Sequence, residues 1–362
     1  MNRMILNPVH PVDPVKNSLR APLPGGRGSS RQWPYYRVRV SAPRPASGGI
    51  DRRTLVSTSM VRGAGGVTAI ARRGLSLLEL LVAVGILSVL AGLILAGVQR
   101  ARVSAARLGC ADHLRQIALA AHGYHGARHR LPTGMARDDG KVPEPYLSWL
   151  ARLLPHLERD ALWEQTEAAF RQERNFLTPA HAARSALVPI FLCPSDGRLS
   201  GPAGKDATLH AVAHTSYLGV EGRNAGVADG LLYMDSRHAL SDATDGTSST
   251  LLVGERPPNA DFSLGWWYAG WGQAQNGDAE FLLGARTRCY NRYRATCDEG
   301  PYRFTAGRLD NPCDAFHFWS PHPGGAHFAF ADGSVRFLRY AADDILPALA
   351  TRAGGEAVSA PE

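Results

Sequence analysis

The stretch that decides the fold is RRGLSLLELLVAVGILSVLAGLILAGVQR, residues 72–100. Between residues 75 and 98 it contains a single ionisable side chain, that of Glu79. A helix rises about 1.5 Å per residue, so this run would be roughly 36 Å long and would cross a hydrocarbon core of about 30 Å. A carboxylate at that depth costs about 2.5–3.5 kcal/mol on insertion scales and usually has a partner. The stretch therefore predicts a membrane-spanning helix with one functional carboxylate.

The order of Arg72, Arg73, Gly74, the apolar run and Glu79 resembles the processing site of bacterial type IV prepilins and type II secretion pseudopilins. The resemblance implies cleavage after Gly74 by a prepilin peptidase and N-methylation of the new terminus at Leu75. It also implies that Glu79 pairs with the N-terminal amine of a neighbouring subunit. Leu75 departs from the Phe that is commonest at the first mature position. An intermolecular ion pair would offset the desolvation of Glu79.

Two other targeting signals match parts of this stretch. Arg72 and Arg73 suit a twin-arginine signal, and V-S-A near Ala105 suits a general signal peptidase. Both go with an apolar segment of about 7–15 residues, whereas this segment is much longer. Arginines lie on both sides of the span, so the positive-inside rule does not set its orientation. The resemblance implies a single-pass inner-membrane protein with an extracytoplasmic C-terminal body.

Basic charge is concentrated in the segment before the span. Residues 1–74, the expected leader, contain 13 Lys and Arg against 2 Asp and Glu, and the remainder contains 27 against 30. The mature chain would be slightly acidic, which argues against nucleic acid as a partner. Residues 1–59 are rich in Pro, Gly, Ser and Arg, which is typical of disorder. Because prepilin leaders are short, we also expect that translation starts at Met60 and that residues 1–59 are not made.

The membrane helix, residues 75–98, is expected to continue over residues 99–126. One apolar face at helical spacing is formed by Cys110, Leu114, Ile117, Ala118 and Ala121. Glycines at 123 and 126 and a proline at 132 are typical of a helix end. This second half should pack against an extracytoplasmic body, residues 127–350, followed by a flexible tail, residues 351–362.

The body has both helical and strand patterns. Residues 148–170 have helical apolar spacing with a break at Pro155. After Pro189, short apolar runs alternate with Gly, Asp and Asn, which is typical of antiparallel strands and turns. The segment AHFAFADGSVRFL predicts a hairpin with Asp332-Gly333 as a two-residue turn. We therefore expect an α+β, pilin-like fold in which one long N-terminal helix packs on an antiparallel sheet.

Blocks from about residue 72 to residue 345 resemble a bacterial family of unknown function. Its members join a prepilin-type N-terminus to a C-terminal domain marked by His, nine residues and Asp-Gly. The blocks HPGGAHFAFADG, FLCPSD and DATDGTSSTLLVGE are similar to those of the family. The positions that match its motifs are His322, Asp332, Gly333, Cys193, Asp245 and Gly246. The resemblance implies a class and no reaction, because the biochemical activity of the family is not established.

Two kinds of metal site are considered. His317, His322 and His327 lie near Asp332 in sequence, but local bonding in turns is the favoured explanation for them. Some major pseudopilins bind calcium through acidic loop residues, and calcium prefers oxygen donors. The candidate donors here are Asp242, Asp245 and Asp332. Because D-A-T-D-G lacks the alternating donors of an EF-hand loop, we expect no cofactor, with calcium as the open alternative.

The chain contains five cysteines, in a body expected to lie where disulfides persist. Cys289 is eight residues before Cys297 and is a candidate to pair with it, and Cys313 competes for either. Cys110 and Cys193 both lie in blocks that resemble the family, and a bridge between them would tie the helix to the body. The odd count leaves one thiol free or intermolecular.

The motifs favour a structural role over catalysis. The sequence has no G-x-S-x-G elbow and no phosphate loop, so we expect no enzyme. We expect a pilin-like subunit that assembles through its N-terminal helix in a type IV pilus or a type II secretion-like system. Its partners would be the prepilin peptidase, other pilin-like subunits and the inner membrane. The alternative is a permanently anchored extracytoplasmic binding module, and a metal-dependent surface enzyme is a third class.

Overall fold

The computed structural model describes residues 76–201, 204–205, 211–356 and 358, with the backbone alone at 204, 205, 291 and 292. The processing positions Gly74 and Leu75 lie outside the described residues. The α-helices are α1 (Leu77–Arg128), α2 (Trp149–Arg152), α3 (Asp160–Gln172) and α4 (Leu346–Ala350). The strands are β1 (Gly204–Lys205), β2 (Ala211–Val212), β3 (Tyr217–Val220), β4 (Leu251–Glu255), β5 (Leu282–Leu283), β6 (Gly325–Phe330) and β7 (Val335–Arg339). Short 3-10 helices cover Leu154–Leu157, Ala182–Ser185, Pro189–Phe191, Gly197–Leu199, Leu240–Asp242, Asn291–Ala295, Pro312–Phe316 and Tyr340–Ile345.

Helix α1 is one uninterrupted element of 52 residues. It ends where His129 adopts a left-handed backbone with φ of 56° and donates its N–H to the carbonyl of His125. The predicted stop at 126 is thus two residues early. Gly123 does not end the helix; it makes room for a neighbour, since a Cβ there would lie 3.1 Å from Nδ1 of His156.

The two halves of α1 have different surroundings. The N-terminal half is apolar, long enough to span a membrane, and exposed along its whole length in the described chain. In the C-terminal half, one face of the helix is buried. The buried residues of this face are Cys110, Leu114, Ile117, Ala118, Ala120 and Ala121. This confirms the apolar face predicted from the spacing and adds Ala120 to it. The same helix thus has an exposed apolar N-terminal half and a C-terminal half that packs on the folded body.

The body is built around a five-stranded sheet with the order β5-β3-β4-β6-β7. The pairs β3/β4, β4/β6 and β6/β7 are antiparallel, and β5 pairs with β3 in parallel. The expected antiparallel pairing therefore holds for four strands, but the edge strand β5 is parallel to its neighbour. The fold is α+β with a mixed sheet. The parallel strands β3 and β5 are joined by residues 221–281, which include β4, and a parallel pair needs such a long connection. Strands β1 and β2 form a separate two-stranded ribbon.

Both faces of the sheet are covered. On the face towards α1, Tyr217 and Leu252 are in one core cluster with Trp149 of α2. On the opposite face, Leu218 and Phe328 are in a second cluster, with Phe316 of the irregular segment that precedes β6. Alternate residues of each strand point to opposite faces, which explains why β3, β4 and β6 are buried at every position.

The helical region after residue 148 breaks where the sequence predicts. Pro155 lies at the start of a 3-10 helix between α2 and α3, and α3 ends at Gln172. The predicted β6–β7 hairpin is also present, but its loop has three residues. Phe330 N–H donates to the Ser334 carbonyl and Gly333 N–H to the Phe330 carbonyl. Gly333 has φ of 85°, as in a type I turn followed by a left-handed residue.

Candidate functional site

Glu79 lies in the first turn of α1, within a capping box. Its backbone N–H donates to Ser76 Oγ at 3.2 Å, and Ser76 N–H donates to Glu79 Oε2 at 2.9 Å. The Ser76 hydroxyl donates to the same carboxylate oxygen at 3.0 Å. The S-x-x-E pattern of residues 76–79 is the sequence signature of such a box, and the predictions from the sequence did not include it. The box fixes the Glu79 carboxylate against the backbone N–H and the hydroxyl of Ser76.

Around this carboxylate, the side chains of α1 are apolar and exposed. Leu77 is 80% exposed and Leu95 still 62%. A contiguous apolar surface of this size is covered in a working protein by lipid or by other protein surfaces. The N-terminal half of α1 is long and apolar enough to cross a membrane, and Glu79 is its one acidic side chain within residues 77–98.

A second site lies where α1 meets the body. A disulfide joins Cys110 of α1 to Cys193, which lies between the Pro189–Phe191 turn and β2. Leu192, next to it, accepts a hydrogen bond from His113 Nδ1 at 2.9 Å, and Cys193 N–H donates to Ser216 Oγ at 3.0 Å. The pairing is the one that the family resemblance favoured, and it anchors the middle of α1.

A chain of three buried polar residues, His322, Glu255 and His327, leads away from this disulfide. His322 Nε2 lies 3.8 Å from Cys193 Sγ and 3.5 Å from Glu255 Oε1. Glu255 Oε2 accepts the backbone N–H of His327 at 2.7 Å and lies 3.2 Å from its Nδ1. Burial raises the pKa of Glu255, but the contacts with His322 and His327 outweigh burial and bring the pKa to about 2. The carboxylate is therefore ionised at neutral pH inside the protein.

The family-motif positions divide into two groups. Cys193 and His322 meet at the disulfide, whereas Asp332 and Gly333 lie at the other end of β6. The nine residues between His322 and Asp332 contain the six-residue strand β6, so the two positions lie at opposite ends of this strand. Motif residues that are close in sequence thus belong to separate sites.

The second group builds turns. Asp332 accepts the N–H of Ser334 at 2.8 Å, and its own N–H donates to the Thr247 carbonyl at 3.0 Å. Gly246, with φ of 100°, provides the left-handed residue of the turn before β4. The Asp245 carboxylate accepts the N–H groups of Gly354 and Gly355 at 2.6 and 3.0 Å. Residues 354 and 355, expected in a flexible tail, are thus hydrogen-bonded to the body.

The three aspartates considered for calcium do not form a ligand cluster in the described chain. Asp242 lies 2.9 Å from Nδ1 of His238 and also accepts the N–H of Ala239 at 3.2 Å. Asp245 and Asp332 bind backbone N–H groups, as given above. Among the residues the structure describes, the grouping of three or more possible metal ligands is that of Cys110, Cys193, Glu255 and His322. The histidine site centred on Asp332 is likewise not formed; His322 and His327 meet Glu255 instead.

The remaining cysteines pair in one of the ways that the sequence left open. Cys297 is bonded to Cys313, and Cys289 is a buried free thiol. The partner of Cys297 is therefore Cys313, the competitor considered from the sequence, and not Cys289.

Another buried polar pair was missed from the sequence. Burial raises the pKa of Asp278 to about 6, and burial together with Asp278 raises that of Glu221 well above its usual range. Gln273 Nε2 donates to Asp278 Oδ2 at 2.8 Å and Thr287 Oγ1 to Asp278 Oδ1 at 3.3 Å. These residues lie in loops and at strand ends of different blocks, and their sequence pattern gives no signal that they meet.

Comparison with known proteins places the chain in a family. The family model described as "Protein of unknown function (DUF1559)" matches residues 99–344, which is more than half of the chain, so the protein belongs to this family. The match begins within α1, after the candidate membrane span, and ends just before α4. Neither curated proteins nor solved structures give a match.

Proposed function

We propose that this protein is a membrane-anchored, pilin-like structural subunit that assembles through the N-terminal half of α1. The observation that carries the proposal is the division of α1: one half is apolar and exposed, and the other is locked into the body. Lipid covers such a segment before assembly, and the helices of neighbouring subunits cover it afterwards. The body would be extracytoplasmic, at the inner membrane, where its two disulfides persist.

The carboxylate of Glu79 is the group that makes assembly specific. In the proposal, a prepilin peptidase cuts after Gly74 and methylates the amine of Leu75. The amine of one subunit then pairs with Glu79 of the next. The capping box supports this role because it bonds Glu79 through Oε2, which leaves Oε1 without a bond to the described residues of its own chain.

The test is the variant Glu79→Ala in the full chain, with Ser76→Ala as the matched control. Ser76→Ala removes the cap, which costs about 0.5–2 kcal/mol of helix stability, but keeps the carboxylate. We expect Glu79→Ala to reduce sedimentable assemblies at least tenfold, while cleavage and membrane insertion stay unchanged. Ser76→Ala should assemble nearly as well as the parent. Intact mass and a sedimentation assay of sheared cells measure both properties.

The opposite result would favour the alternative function. If Glu79→Ala assembles like the parent, the pairing mechanism is wrong. A permanently anchored binding module would be indifferent to this change. A cleft of about 600 Å³ between α1, α3 and the loop before α2 favours this second candidate, since it is within the usual size of a small-molecule site. Tyr124, Arg152 and Trp163 line it.

A further inference from the structure

The two cysteines of the disulfide at the junction of α1 and the body belong to a group of four possible metal ligands. Four ligand atoms, one each from Cys110, Cys193, Glu255 and His322, lie within 4.8 Å of one another. All four residues are buried, with at most 3% exposure. They come from distant parts of the chain: α1, the loop after the Pro189–Phe191 3-10 helix, the end of β4 and the loop before β6.

The two oxygens of the Glu255 carboxylate are bonded differently. Oε2 is held by the backbone N–H and the ring of His327, whereas Oε1 is buried and has no hydrogen bond in the described chain. This oxygen lies 3.5 Å from His322 Nε2, on the side of the sulfur atoms. The ion-pair contact with His322 is longer than a good hydrogen bond, so this buried oxygen keeps a lone pair that a cation could use.

We propose that, when the Cys110–Cys193 disulfide is reduced, these four residues bind one divalent cation of the zinc class. Thiolate, imidazole and carboxylate are each donors that Zn²⁺ takes in four-coordinate, tetrahedral sites. With Zn–S near 2.3 Å and Zn–N near 2.0 Å, neighbouring ligand atoms of a tetrahedron are roughly 3.3–3.8 Å apart. The distances from His322 Nε2 to Cys193 Sγ (3.8 Å) and to Glu255 Oε1 (3.5 Å) have these values.

The surrounding contacts suit a metal site. His327 fixes the orientation of the Glu255 carboxylate, as the outer partners of metal ligands do. The ion would neutralise two of the three negative charges of the thiolates and the carboxylate. His322 would coordinate through Nε2, the nitrogen that faces the sulfur atoms and Glu255.

The disulfide must be reduced before the metal can bind. A phosphine reductant attacks the disulfide, the S–S bond breaks, and water supplies the oxygen of the phosphine oxide and the two thiol protons. The cation then displaces both thiol protons, which pass to the buffer. Either the disulfide or the metal joins α1 to the body, so this junction is kept in both redox states.

The experiment is a cobalt titration of the full chain in detergent, after reduction with a water-soluble phosphine and removal of air. Co²⁺ replaces Zn²⁺ and reports thiolate ligands through a charge-transfer band and tetrahedral geometry through strong visible bands. We expect one tightly bound ion per chain, displaced by Zn²⁺. The unreduced protein should give no such bands.

Variants assign the ion to the site. Cys110→Ser with Cys193→Ser should abolish the bands, whereas the matched pair Cys297→Ser with Cys313→Ser should keep them. Glu255→Gln, which retains the thiols but removes a direct ligand, should weaken binding by more than the roughly 10–100-fold lost with an outer partner, and should alter the visible bands. Circular dichroism of each variant confirms that it is folded.

Two results would overturn the proposal: no tetrahedral cobalt spectrum in the reduced parent, or an unchanged spectrum and affinity in Glu255→Gln. Neither depends on filament formation. A failure of the metal site is therefore separate from a failure of the proposed assembly function.

Discussion

The bond between Cys110 and Cys193 should contribute more to stability than any other single cross-link in the described chain. It closes a loop with a sequence separation of 83, and Cys297–Cys313 closes one of 16. In the chain-entropy model these loops correspond to about 4.5 and about 3 kcal/mol of unfolding free energy at 25 °C. We therefore expect Cys110→Ala with Cys193→Ala to cost about 1.5 kcal/mol more than Cys297→Ala with Cys313→Ala.

Side-chain packing should also make removal of the Cys110–Cys193 disulfide the more costly of the two changes. Cys110 is fully buried and Cys193 is 2% exposed, so their removal also leaves a cavity, whereas Cys313 is only partly buried. The measurement is guanidinium unfolding of the full chain in detergent, followed by tryptophan fluorescence with a chelator present. If the Cys110/Cys193 pair costs no more than the Cys297/Cys313 pair, the disulfide is not the anchor of α1.

Two further predictions concern the body. Asp278→Asn should stabilise the protein by about 1–3 kcal/mol at pH 7.5 and change nothing at about pH 4. The pKa of Asp278 is raised to about 6 by burial, so its contribution is favourable below the usual pKa and is lost as the pH rises through 6. Thermal melts across this range measure the slope, and an unchanged slope in the variant would contradict the assignment. Leu114→Ala, at a fully buried position of α1, should cost about 2–5 kcal/mol, while Leu119→Ala, 61% exposed, should cost less than about 0.5. Equal costs in denaturant unfolding would mean that α1 does not pack on the body as described.

The parts of the fold that the sequence predicts are those with local causes. The apolar face of α1 follows from side-chain spacing, and the break at Pro155 follows from a missing N–H. The β6–β7 hairpin follows from its turn residues, although Gly333 acts as the left-handed residue of a longer loop. In each case the residues that decide the structure are neighbours in the chain.

The parts that it does not predict depend on distant contacts. The parallel pairing of β5 depends on the path of residues 256–281, which has no regular pattern. Glu255 ends a strand of apolar residues, and nothing in that strand indicates that its carboxylate meets two histidines some seventy positions later. The partner of Cys297 depends on how residues 289–313 fold, which spacing alone leaves open.

The structure also gives a physical meaning to the His, nine residues, Asp-Gly pattern. The histidine end lies at the buried disulfide, and the Asp-Gly end forms the turn that returns the chain along β7. Strand β6 holds the two ends apart and is covered by the core on both faces. In this chain the pattern therefore spans a central strand and the two sites at its ends.

The central claim is that this protein is a processed, pilin-like subunit, and its mature N-terminus tests that claim most directly. The chain purified from membranes would be measured by intact mass and by sequencing of its terminal peptide. We predict an N-methylated Leu75, with Gly74 and everything before it removed. An uncut chain, or a terminus near Ala106, would contradict the claim.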